Sequence, residues 1–468
     1  MPTPNRSERL LVLVACSVSV MIVQIDSTAV NLALPSISRE LHASTGQLQW
    51  VIDAYLLVLA SLLMFSGSLA DRIGRRKVLM IGLVLFGIGS ALCSVSFSSA
   101  MLIVMRGLQA VGGSMLAPVA LSIISNTFED HRERAQAIGI WGAVIGIGMA
   151  TGPIVGGALV DAIDWRSVFW INLPVVGLAL WLVHRYVPES KAETARGFDI
   201  PGQLLAILTL GALTFALIEG GEYGFTTLPV LVAGGLALLG GTAFIVTERR
   251  APEPFLELGF FRSLPFSLAT LIALLAFFSF AGFLFVATLY LQDSRGMEPL
   301  HAGLATLPMA LANALLAPIS GRLVARLGAR IPMVAAALVM GIGALMLTRL
   351  DPQTPLWWFI SAGICVGAGL GLVNAPITDT AVSGMPLSRA GVAGATASTA
   401  RQLGQSLGVA VLGASLNAGL NSGKQFTIAA HPGWWLLLCC AVAIGGLALA
   451  SGTRSAKASQ ARVTADFG

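Results

Sequence analysis

The sequence predicts an all-α membrane protein whose fourteen transmembrane helices form two six-helix bundles with two further central spans inserted between them. Three observations carry this reading. Only 11% of the residues are charged, against about 25% in a soluble protein, while 56% are apolar and the mean hydropathy is +0.82. Charged or Pro/Gly-rich breaks cut the chain into fourteen apolar runs, each near the ~20 residues that cross a ~30 Å hydrocarbon core. Finally, Gly67-Ser-Leu-Ala-Asp-Arg-Ile-Gly-Arg-Arg returns 254 residues later as Gly321-Arg-Leu-Val-Ala-Arg-Leu-Gly-Ala-Arg, matching at Gly, Leu, Arg, Gly and the last Arg.

The runs follow in order. The first, 10–34, comes after Arg6 and Arg9 and is interrupted by Asp26; it imitates a secretory leader, but no small-residue cleavage site follows, so it reads as a span. Runs 47–70 and 78–97 flank a short, strongly basic segment, and 101–125 carries Arg106 within it. Runs 135–159 and 166–186 complete the first six. The pair 200–219 and 227–247 is followed by Arg249, Arg250 and Arg262. Runs 266–291, 301–321, 331–349, 355–378, 393–417 and 432–451 make the second six, and the same offset carries span one onto span nine. The organisation is therefore a first bundle over 1–190, an insert over 191–262, a second bundle over 263–451 and a cytoplasmic tail over 452–468. Repeated halves of this kind place a substrate cavity between them at mid-membrane.

Positive charge orients the chain. With both termini cytoplasmic, 21 Lys/Arg fall on the cytoplasmic side, clustered at Arg72/Arg75/Arg76/Lys77, Arg249/Arg250/Arg262 and Arg322/Arg326/Arg330. Only five (Arg39, Arg166, Arg295, Arg349 and Lys424) fall outside, with Arg106 and Arg401 inside spans. That asymmetry is the signature of membrane topology, so the net charge of +5 points to the lipid bilayer and not to nucleic acid. The cysteines (Cys16, Cys93, Cys365, Cys439 and Cys440) lie in or beside apolar runs with no CxxC, and read as small apolar fillers. Arg outnumbers Lys 24 to 4 in an Ala/Gly/Leu-rich chain, which suggests a GC-rich bacterial source.

Enzyme chemistry is not offered. Gly404-Gln-Ser406-Leu-Gly408 matches the hydrolase elbow pattern but lies in an apolar helical run, whereas an elbow needs a strand-to-helix turn. There is no G-x-x-x-x-G-K-S/T run for phosphate, no HExxH and no His/Cys metal cluster, so the reading is of a non-enzyme with no metal and no cofactor.

The stretch Gly67-Ser68-Leu69-Ala70-Asp71-Arg72-Ile73-Gly74-Arg75-Arg76-Lys77 resembles the loop between spans two and three of the major facilitator superfamily. Its glycines permit tight turns and close helix approach, the basic residues anchor at headgroups, and Asp71 can face a helix N-terminus or an Arg. The resemblance implies that Asp71, with Arg72, Arg75 and Arg76, latches the cytoplasmic side. Gly146-Ile-Gly148-Met-Ala-Thr-Gly152-Pro153-Ile-Val-Gly156-Gly157 in span five looks like the family's antiporter motif, which marks exporters. The spacing of Gly148, Gly152 and Gly156 makes a smooth helix face, and Pro153 bends the span.

Four further pieces resemble the fourteen-span drug:proton antiporters within that superfamily. They are Ile25-Asp26-Ser-Thr-Ala-Val-Asn31-Leu-Ala-Leu-Pro35, Gln49-Trp50-Val-Ile-Asp53-Ala-Tyr55, Trp165-Arg166-Ser-Val-Phe169-Trp-Ile-Asn172-Leu-Pro174 and Arg401-Gln402-Leu403-Gly404. In span four, Ala110 stands where the family's proton-linked motif has Gly, which bears on the role the family gives Arg106.

Asp26, Asp53 and Arg106 are the ionisable residues within the spans of the first half, and a charge in the membrane is a functional hypothesis by default. By helical rise all three fall in its outer half, where they could share one wet cavity and where a carboxyl can gain and lose a proton. A structural ion pair is the alternative. In the second half, Asp379 and Arg401 are expected to pair as a structural or gating contact. The resemblance implies a major facilitator fold in the bacterial inner membrane, exchanging drug-like molecules for protons and driven by the proton gradient without a cofactor. The rival, a proton-coupled importer of another solute on the same fold, is opposed by the Gly152-Pro153 motif. Substrate identity and protein partners are not legible.

Overall fold

The computed structural model describes residues 6–467, apart from 193–196, 198, 255, 352, 384 and 386–389. Among the described residues, fourteen helices are long and apolar enough to cross a membrane. The first six are α1 Arg6–Leu41, α2 Thr45–Ile73, α3 Arg75–Ser94, α4 Ser99–Thr127, α5 His131–Ala162 and α6 Ser167–Tyr186. Then come α7 Ile200–Tyr223 and α8 Leu228–Glu248. The last six are α9 Leu264–Leu289, α10 Pro299–Leu327, α11 Arg330–Leu347, α12 Leu356–Val382, α13 Ala390–Asn421 and α14 Phe426–Ser451. A final polar helix, α15 Arg454–Phe467, follows them.

Local chemistry explains several starts. Ser44 and Gln47 form a reciprocal capping box at the head of α2, the Ser98 hydroxyl accepts from the Met101 N–H at 3.2 Å to open α4, and Asp130 accepts from the Arg132 and Glu133 N–H groups to open α5. Each satisfies donors that a helix leaves orphaned at its first turn.

The chain divides into two compact units, residues 1–203 with 297–304, and residues 204–296 with 305–468. In the first, α1 packs on α4, α5 and α6, while α4 and α6 also pack on α3. In the second, α9 packs on α12, α13 and α14, while α12 and α14 also pack on α11. These five pairings correspond, so part of the sequence repeat is also a repeat of packing. The second unit takes in α7 and α8 from Leu204 on. The C-terminal end of α7 is tied to α13: Gly221 lies against the Ala414 backbone, and Asn421 Nδ2 donates to the Glu222 carbonyl at 3.2 Å. The segment anticipated as a tail, 452–468, is largely the helix α15. It buries Ala456 and Val463, with Ser459 Oγ accepting from the Leu264 N–H at 2.9 Å and Gln460 Nε2 donating to the Ser383 carbonyl at 2.7 Å.

Candidate functional site: a buried ion pair in the first unit

Asp26 on α1 and Arg106 on α4 meet at 2.6 Å between Oδ2 and Nη1, with side chains 0% and 1% exposed. Two amides complete the carboxylate's shell: Gln109 Nε2 and Asn172 Nδ2 donate to Oδ1 at 2.9 and 2.8 Å. Arg106 also donates to Gln109 Oε1 at 2.7 Å and, through Nε, to the Val51 carbonyl at 3.2 Å. The Tyr55 ring covers the guanidinium at 4.1 Å, with Phe169 at 5.8 Å. Gln109, one turn after Arg106 on α4, presents its carbonyl to the Arg and its amide to the Asp, so it locks the pair's geometry. Two charges removed from water are tolerable only when paired and supplied with hydrogen bonds in this way.

The sequence reading anticipated a wet cavity shared with Asp53. In this structure, Asp26, Arg106 and Asp53 are all buried. Val51 and Tyr55, four residues apart, present one face of α2 to Arg106. Asp53, two residues from each, projects from roughly the opposite side of that helix. The aromatic cover and the neighbouring helices bury the Asp26–Arg106 pair. Gln109 and Asn172 were missed as members of the site. An amide is uncharged and common, and its role shows only once α4 and α6 are brought against α1.

The glycines of α5 press on α1 beside this pair. A Cβ at Gly148 would come within 3.0 Å of the Met21 carbonyl and the Gln24 side chain; one at Gly156 would lie 2.8 Å from the Ala29 backbone. At Gly152 it would fall on Thr28 Oγ1 and within 3.0 Å of the Ile25 carbonyl. Gly157 lies on the other side, with its Cβ position 2.6 Å from the Pro299 carbonyl at the head of α10. Near Pro153, whose carbonyl abuts Gly303, backbone approaches backbone. The second unit has its own version: Gly404 and Gly408 of α13 lie against the Leu274 and Phe278 carbonyls of α9. The hydrolase-like spacing in the sequence is thus a helix-packing seam.

At the loop between α2 and α3, Asp71 pairs with Arg75 at 2.9 Å, one turn along. Gly67 has open space where a Cβ would be. Gly74 has φ 112°, a backbone that favours glycine, and a Cβ there would meet the Glu189 carboxylate at 2.5 Å. Glu189, which sequence reasoning did not single out, accepts from the Arg76 and Lys77 N–H groups at 3.1 and 3.2 Å, placing a carboxylate at the positive end of α3. Arg76 Nη2 donates to the His184 carbonyl at 2.7 Å, and the Ser190 carbonyl accepts from the Arg75 N–H at 2.8 Å. The segment after α6 therefore straps the loop, while Arg72 is exposed.

Arg401 on α13 does not take Asp379 as its partner. Its Nη2 donates to Thr378 Oγ1 and to the Asn374 carbonyl at 3.5 Å, and its guanidinium lies 5.9 Å from the Phe277 ring. Asn374 and Thr378 share a face of α12, one turn apart, whereas Asp379 is turned ~100° away and is exposed.

The first unit thus encloses a buried Asp–Arg pair, and the second repeats part of its packing. The chain belongs to the major facilitator superfamily, whose family model matches residues 16–409. It is 39% identical over 418 residues to the multidrug resistance protein Stp of Mycobacterium tuberculosis (strain CDC 1551 / Oshkosh), covering 89% of this chain and 78% of that one. To the tetracenomycin C resistance and export protein of Streptomyces glaucescens it is 38% identical over 407 residues, covering 86% and 74%. To the riboflavin transporter RibZ of Clostridioides difficile it is 30% identical over 437 residues, covering 92% and 94%. Among solved structures, a bacterial homologue of the human lysosomal transporter Spinster, inward-facing and occupied, matches with a TM-score of 0.65 over 99% of this chain and 98% of that one, at 18% identity. That likeness shows the fold alone.

Proposed function

We propose that this protein exports drug-like small molecules across the bacterial inner membrane in exchange for protons, with both termini in the cytoplasm. The observation that carries the reading is the Asp26–Arg106 pair held against the glycine face of α5. A lone carboxylate sealed in the membrane, with its cation on a different helix, couples proton uptake to helix position: protonation removes the charge that holds Arg106 and frees α1 and α4 to part. Small residues along α5 let α1 move against it without dislodging side chains. The relatives named for multidrug resistance and for tetracenomycin C export support the choice of substrate class and direction. Orientation rests on the positive-inside asymmetry of the loops.

Cells producing the protein should show raised minimal inhibitory concentrations against part of a panel of apolar antibiotics and dyes, and an uncoupler should abolish the difference in drug accumulation. Unchanged accumulation at verified expression would overturn the reading. The alternative, a proton-coupled importer of another solute, has the likeness to RibZ in its favour, because that name specifies a transported solute and no resistance. Net inward flux of riboflavin in energised cells would select it. Cysteines placed at Lys191 and Ser422 should label from the inside and the outside respectively.

A further inference from the structure

Arg401 is a cation within a span to which the chain supplies no anion. Its Nη2 donates to the Thr378 hydroxyl and, at 3.5 Å, to the Asn374 carbonyl of α12, while Nη1 reaches Ser398 Oγ, one turn back on α13, at 3.5 Å. Contacts that long lie at the edge of hydrogen bonding. Its Nε is buried and has no partner among the described residues. The Phe277 ring, 5.9 Å away, is apolar. All these neighbours are neutral, and among the described residues no carboxylate forms an ion pair with Arg401. Asp379, the acid beside Thr378 in the chain, is turned ~100° away around α12.

A guanidinium stays charged, and a charge inside a membrane span is ordinarily met by an opposite charge or by well-made hydrogen bonds. Arg106 has both, with a carboxylate at 2.6 Å, an amide oxygen at 2.7 Å and a carbonyl at 3.2 Å. Arg401 has one close hydroxyl and two long contacts, so its anion comes from outside the chain. Depth says which kind. Phe277 is the fourteenth of the 26 residues of α9, roughly 20 Å from either end at 1.5 Å per residue. A lipid phosphate belongs at the boundary of the ~30 Å core and not at that level. Thr378 is exposed, which leaves the Nη2 edge open to an arriving group.

We propose that the Arg401 guanidinium, with Thr378 Oγ1 beside it, is an anion-binding point for transported molecules, taking the carboxylate or sulfonate of an otherwise apolar compound. The oxyanion replaces the two long contacts with the paired N–H bonds that a guanidinium makes to such groups. The inference rests on the export reading and adds apolar acids to its substrate class.

Anilinonaphthalene sulfonate and N-phenylnaphthylamine share one apolar body and differ by the sulfonate. Their binding to the purified full chain in phosphatidylcholine nanodiscs is read by dye fluorescence against empty discs, and their proton-driven uptake into everted vesicles is read alongside. Arg401→Gln should weaken sulfonate binding roughly ten- to a hundredfold, the loss expected for hydrogen bonds to a charged group, with little effect on the neutral dye. Arg401→Lys keeps the charge without the fork and should recover part of the loss. Thr378→Asp puts a carboxylate where the hydroxyl meets Nη2. It should abolish sulfonate binding while raising the unfolding temperature, because the cation gains an internal partner, and it serves if Arg401→Gln fails to fold. Variants that affect both dyes equally, or neither, would make Arg401 a structural residue and overturn the inference, while the export reading stands as long as the neutral dye is pumped. Displacement of the sulfonate by phosphatidylglycerol added to the disc, at salt that screens the disc surface, would assign the site to a lipid headgroup and overturn it as well. If neither dye is pumped but sulfonate binding still depends on Arg401, the export reading falls and the anion site stands.

Discussion

Gly152→Ala is the sharpest perturbation of the α1–α5 contact. The new methyl would land on Thr28 Oγ1 and come within 3.0 Å of both Thr28 Cβ and the Ile25 carbonyl oxygen. The hydroxyl could swing away only by giving up its bond to the Gln24 carbonyl at 2.9 Å, and the Ile25 carbonyl is backbone and cannot swing at all. The two helices must therefore part by a few tenths of an ångström at the residue before Asp26. Overpacking of this kind costs about 1–3 kcal/mol, equivalent to a roughly 5- to 150-fold change in the equilibrium between seated and parted helices. Drug export from everted vesicles, at matched protein level, should fall within that range, with a lower unfolding temperature in detergent. Thr28→Ala removes the hydroxyl but leaves the 3.0 Å contacts, so Gly152→Ala with Thr28→Ala should recover part of the loss. Gly146→Ala, on the same helix with open space at its Cβ position, is the control and should be silent. Full export by Gly152→Ala, or a double variant no better than the single, would refute the argument that this seam carries the motion.

Arg106→Ala would leave Asp26 buried without its cation, a loss of about 3–5 kcal/mol; unfolding in detergent should shift accordingly, and Arg106→Lys should not restore it, because Lys cannot reach Asp26, Gln109 and Val51 in the guanidinium's geometry. Glu189→Ala removes the acceptor at the head of α3, so a cysteine at Lys191 should label faster with a thiol reagent; an unchanged rate would mean the strap is held by its backbone contacts alone. Asp53→Asn should impair export of cationic compounds and spare neutral ones. One charge moved across ~150 mV is worth ~3.5 kcal/mol, and a one-for-one exchange of proton and monovalent cation forgoes that term, so steep cation export wants a second titrating carboxyl. Equal loss for both classes in paired ethidium and neutral-drug flux assays would make Asp53 structural.

The order and number of spans were readable from the chain because crossing a bilayer imposes a length and an apolar composition on every helix, whatever it later touches. The repeat was readable for the same reason: Gly67–Arg76 and Gly321–Arg330 solve the same loop problem twice. Asp26 and Arg106 stood out because a charge in an apolar run is conspicuous. Which residues would meet was a different matter. Uncharged Gln109 and Asn172 carry no such signal, and Glu189 looks like any loop acid until the segment after α6 folds back over Gly74. Arg401 turned to Thr378 instead of Asp379 through one residue's rotation around α12, a difference that charge pairing along the sequence does not encode. Hydrophobic burial in lipid is non-directional and legible from composition, whereas hydrogen bonds between buried groups depend on distances of a few tenths of an ångström. Those distances were decided only when the helices packed.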